Sequence, residues 1–85
     1  LHNSARMNLG GCYMNLKNYE GAKQQIETVL ALEPDYPEAL INLGFICYKF
    51  IPDKDCLKEA WGRYIELKPE TKEAEQFKQI LSKLN

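Results

Sequence analysis

An all-α fold, a right-handed solenoid of stacked antiparallel helix hairpins, is predicted by three features of this 85-residue chain. The first is an internal repeat. Asn8-Leu9-Gly10-Gly11-Cys12-Tyr13 and Asn42-Leu43-Gly44-Phe45-Ile46-Cys47 lie 34 residues apart. Behind them Val29-Leu30-Ala31-Leu32-Glu33-Pro34-Asp35 and Tyr64-Ile65-Glu66-Leu67-Lys68-Pro69-Glu70 lie 35 apart, so the second copy holds one extra residue. Units of this period bury their apolar faces only by lying against neighbours. The second feature is apolar spacing at three and four residues, with no run of strand-like alternation. The third is that connections of two to five residues favour antiparallel neighbouring helices.

In chain order, Ala5, Leu9, Gly10, Cys12, Tyr13 and Leu16 form one stripe and predict helix A of the first unit, over about 3–16. Lys17-Asn18 breaks the pattern as a turn. Tyr19, Ala22, Ile26, Val29, Leu30 and Leu32 resume it as helix B. Pro34-Asp35-Tyr36-Pro37 closes the unit, because a residue before proline is pushed out of the α region, and Pro37 with Glu38 suits the first turn of the next helix.

In the second unit Leu40, Leu43, Gly44, Cys47 and Tyr48 predict helix A, and Leu57, Trp61, Tyr64, Ile65 and Leu67 predict helix B. The corner between them, Phe50-Ile51-Pro52-Asp53-Lys54-Asp55, should be longer and partly apolar, with Pro52 stopping one helix and Asp53 capping the next. Glu70 to Asn85 is predicted to be an amphipathic capping helix with Ala74, Phe77, Ile80, Leu81 and Leu84 on its inner face. The whole is one domain: repeat one over about 3–36, repeat two over about 37–71 and a cap over about 72–85.

Composition narrows the function classes. Hydrophobic residues make up 45% and charged residues 27%, and no run approaches the ~18 apolar residues of a membrane span. The formal net charge of −1, with both signs interspersed, gives no field to attract phosphates, so neither nucleic acid nor membrane is an expected partner. Cys12, Cys47 and Cys56 are odd in number and lack a C-x-x-C pair, which predicts reduced thiols and leans toward a cytoplasmic setting. The start at Leu1 suggests a piece of a longer protein. No cofactor and no metal are expected. Catalysis is not expected either: the one histidine is His2 and the aspartates Asp35, Asp53 and Asp55 all fall in connectors.

Leu9, Gly10, Tyr13, Ala22, Ile26 and Pro34, with Leu40, Leu43, Gly44, Trp61 and Pro69, resemble the tetratricopeptide repeat pattern. The second unit departs from it where Cys47 replaces the aromatic and Leu57 the small alanine. Glycine inside a helix costs about 1 kcal/mol relative to alanine, so Gly10 and Gly44 call for a packing reason, and close helix contact supplies one. Leu57 should widen the crossing, with the extra residue as the accommodation.

The resemblance implies a protein-interaction module whose helices A line a concave groove for a peptide or helix of a partner protein. By match to the family, the lining residues are Ser4, Met7, Asn8, Gly11, Met14 and Asn15, then Glu38, Ile41, Asn42, Phe45 and Lys49. Asn8 and Asn42 can each donate to and accept from a peptide backbone. Packing within the fold is the rival role for this set. Family members that clamp the carboxylate tail of heat-shock chaperones carry Lys and Asn where this chain has Met7 and Gly11, so that mode is not expected. The alternatives are a self-association module meeting another copy at Phe50-Ile51 or near Arg6, and the targeting arm of a larger enzyme. RNA reading by a related helical repeat is disfavoured by the acidic balance.

Overall fold

The computed structural model describes residues 16–84, which contain four α-helices and no strand. The order is α1 (Tyr19–Leu32), α2 (Pro37–Phe45), a wide π-turn (Ile46–Phe50), α3 (Lys54–Leu67) and α4 (Lys72–Ser82). Each helix packs on the one before it, and the most extensive contact joins α2 to α3. The expected helix A of the first unit, with Gly10 and Tyr13, lies outside the described residues.

Local chemistry sets each boundary. Lys17 turns the chain with a φ of 60°, in the left-handed region, and the Asn18 carboxamide oxygen then accepts from the Gly21 N–H at 3.0 Å. Helix α1 buries Ala22, Ile26 and Val29 along one stripe and stops before Pro34. Leu32, expected on that stripe, is instead 61% exposed at the fraying end. Pro37 opens α2 at a position where its missing N–H costs nothing. Asp53 caps α3 by accepting from the Cys56 N–H at 3.1 Å, as its place after Pro52 predicts. Thr71 does the same for α4, accepting from Ala74 at 3.1 Å.

The end of helix A in the second unit is a wider turn than an α-helix makes, and a turn of that kind takes up one extra residue. Across Ile46–Phe50 the ladder widens: the Ile51 N–H donates to the Ile46 carbonyl at 2.8 Å, and the Asp53 N–H to the Cys47 carbonyl at 3.0 Å. Burial differs from the expected stripe on either side of Cys47. Ile46, absent from the predicted stripe, becomes fully buried, while Tyr48, predicted to join it, is 40% exposed.

The core centres on Trp61 and Phe77, which stack with centroids 3.9 Å apart. Phe45 meets both edge-on, at 5.2 and 5.9 Å, and Tyr64 meets Phe77 edge-on at 5.5 Å. The Trp61 indole N–H donates to the Ile41 carbonyl at 3.3 Å, so its one polar atom is satisfied. A Cβ at Gly44 would overlap the indole, which gives this glycine its reason: only a bare Cα lets α2 lie against Trp61. Leu57, in the place of a small residue, is buried in the same core.

The expectation of reduced thiols is corrected at the second corner. Cys47 and Cys56 form a disulfide. Their separation of nine residues carries no spacing signal, and the bond arises because the π-turn directs Cys47 at the first turn of α3. The pairing removes the ground on which these two cysteines favoured a reducing setting. Cys12 lies outside the described residues.

Candidate functional site

Helix α2 and the turn after it carry five of the predicted lining residues: Glu38, Ile41, Asn42, Phe45 and Lys49. Residues three and four apart share a helix face, so Glu38, Ile41, Asn42 and Phe45 run along one side of α2. Glu38 is exposed in the first turn, and Lys49 is exposed in the π-turn. The Lys49 ammonium lies 5.8 Å from the centre of the Phe45 ring, within range of an attractive cation–π contact.

The five differ in how free they are. Ile41 and Phe45 are half-buried and packed against the core, with Phe45 set edge-on against the stacked Trp61 and Phe77 rings. Both therefore have a packing role whatever else they touch. Asn42 is half-buried, and its carboxamide makes no hydrogen bond among the described residues. A polar group so placed gains from a partner that can pair it. Ser4, Met7, Asn8, Gly11, Met14 and Asn15 lie outside the described residues.

Two surface features escaped the sequence reading. Tyr48 stands beside Lys49 with its ring tilted against Trp61 at 5.6 Å. The signal that could have found it is the 35-residue offset, which places an extra residue somewhere between the two blocks without saying where. The other is an open cleft of about 350 Å³ between α1 and α3. Leu30, Leu40, Leu43 and Ala60 form its apolar lining, while Glu27, Glu59 and Arg63 contribute charge. Arg63 donates to Asp35 at 3.0 Å in a solvent-exposed ion pair, worth about 0–1 kcal/mol.

Among the described residues no group of three or more His, Cys, Asp or Glu side chains could hold a metal ion. No helix among them is long and apolar enough to cross a membrane.

Residues 4–36 match the family model of the tetratricopeptide repeat. The match supports a tetratricopeptide repeat assignment. Tetratricopeptide repeats generally mediate protein–protein interaction, and the family is generally one of scaffolds rather than enzymes. A comparison with curated proteins finds no match.

Proposed function

We propose that this chain is a protein-interaction module in which α2, together with the preceding helix A, presents a groove to an extended peptide or helix of a partner protein. The groove would belong to one right-handed stack of two repeats and a cap. Asn42 carries the reading: a half-buried carboxamide without a side-chain partner among the described residues, on the same face as Phe45 and Lys49. Asn8 is its counterpart in the first repeat, and Met7, Gly11, Met14 and Asn15 would extend the face. Two carboxamides at repeat spacing suit the regular amides of a peptide backbone.

The test is selection of binders from a random peptide library, followed by calorimetry. Asn42→Ala should weaken a selected peptide by about tenfold, the loss of roughly one well-made hydrogen bond. Glu59→Ala, across the molecule on α3, should leave binding unchanged. A peptide whose affinity ignores Asn42→Ala and Asn8→Ala alike would remove this reading.

A second reading, self-association, draws on Leu16 and Phe50 at the two corners, 77% and 41% exposed. Light scattering across a concentration series decides it, since a strict monomer leaves that surface without a second copy to meet.

A further inference from the structure

The two sulfurs of the Cys47–Cys56 bond differ in access. Cys47 is 2% exposed, whereas Cys56 is partly exposed and lines the cleft between α1 and α3. A thiol arriving from solvent can reach Cys56 through that cleft and meets packed side chains on the Cys47 side. Glu27 and Glu59 also line the cleft, while Arg63 is occupied by Asp35. A neutral thiol suits this approach better than an anionic one.

The bond also sits where the backbone is least regular. Ile46–Phe50 is a π-turn, and Pro52, Asp53, Lys54 and Asp55 beyond it are all exposed. Beside the disulfide, two backbone hydrogen bonds close the corner, one of them accepting at the Cys47 carbonyl itself. The corner's side chains touch the rest of the fold through the Phe50 ring stacked on Tyr19 and the Tyr48 ring tilted against Trp61. The helices on either side are held by other contacts, through Gly44, Trp61 and Phe77. A cross-link spanning nine residues constrains little of the chain beyond its own loop.

We propose that Cys47–Cys56 is a redox-controlled staple, opened at Cys56 by a neutral dithiol reductant, and that opening releases the 48–53 corner while the aromatic core stays assembled. The first thiolate of the reductant attacks the Cys56 sulfur. The S–S bond breaks, a mixed disulfide forms on Cys56, and Cys47 leaves as a thiolate that takes up a proton. The second thiol of the reductant loses its proton and attacks its own sulfur in the mixed disulfide, closing the oxidised reductant and freeing Cys56. Two electrons pass from the dithiol to the protein, and two protein thiols result. Tyr48, Lys49 and Phe50 all lie within the released segment, so their presentation beside α2 is what the staple controls.

The experiment is amide hydrogen exchange on the full chain, oxidised and after dithiothreitol, with alkylation mapping to score each cysteine. The oxidised protein should leave Cys47 and Cys56 unalkylated. After reduction both should be alkylated, and the Ile51 and Asp53 amides should exchange about tenfold faster or more, while Leu43, Gly44 and Trp61 keep their protection. The double variant Cys47→Ser, Cys56→Ser should give the reduced profile with or without dithiothreitol, which separates the staple from any effect at Cys12. A neutral monothiol, 2-mercaptoethanol, should leave its mixed disulfide on Cys56. Three results would overturn the proposal: both cysteines alkylated before reduction, equal exchange in the two states, or loss of protection across α2, α3 and α4 together. A mixed disulfide on Cys47 would overturn the route through the cleft. Loss of peptide binding at the α2 face alone leaves these readouts untouched, because none of them depends on a ligand.

Discussion

Helices α1 and α3 bury the same three register positions with side chains of very different size. In α1 these are Ala22, Ile26 and Val29, and in α3 they are Leu57, Trp61 and Tyr64. The second helix therefore brings far more volume to the same place in the repeat, and the chain around it gives way to match. Both units have glycine at the position of Gly44, but Cys47 stands where the first unit has Tyr13. The added residue of the π-turn lets helix A end wider. Cores tolerate exchange of side chains when total volume is kept, and in the sequence the aromatic residue passes from helix A, at Tyr13, to helix B, at Trp61. The difference teaches that a repeat can hold its register while its filling is redistributed.

Making α3 resemble α1 is the most disruptive way to break the comparison. Trp61→Ile should leave a cavity against Phe77 and Gly44 and cost about 3 kcal/mol, read as a lower urea midpoint by circular dichroism. An unchanged midpoint would mean that the core closes around the smaller side chain. Next in size is a pair of glycines expected to respond with opposite signs. Gly44→Ala should cost about 1–3 kcal/mol, because its Cβ would overlap Trp61. Gly62→Ala meets nothing within 4 Å inside α3 and should stabilise by about 0.5–1 kcal/mol. The smallest effect sharpens the contrast between the two corners. Asn18→Ala and Asp53→Ala each remove a helix cap and should each cost about 1 kcal/mol in thermal denaturation. A much smaller loss at Asp53 would show that the disulfide already holds the start of α3.

Much of the fold was legible because the signals were local. The stripes in α1 and α3, the prolines at 34 and 37, and the Asp53 cap each depend on residues a few positions apart. The inner face of the last helix was legible for the same reason, with Ala74 and Phe77 buried and Ile80, Leu81 and Leu84 packed beside them. What could not be read depends on where one surplus residue settles. An offset of 35 is satisfied equally by a longer corner or by a wider helical turn, and only packing around Trp61 decides between them. Tyr48 moving out and Cys47 reaching Cys56 both accompany the wider turn. The candidate face was legible as a face but not as a free surface. Spacing placed Ile41, Asn42 and Phe45 together, yet only the aromatic contacts show that Phe45 also packs against the core while the Asn42 side chain has no hydrogen-bond partner among the described residues.

Trp61 is the single tryptophan of the chain, fully buried, with its ring on Phe77 and its N–H on the Ile41 carbonyl. Excited apart from the five tyrosines, it is one tryptophan probe, seated where α2, α3 and α4 meet. Its emission reports whether that junction is dry and closed, whereas circular dichroism sums over every helix. Emission and ellipticity that part company on titration with denaturant would show the second repeat and its cap holding together while the first repeat unwinds.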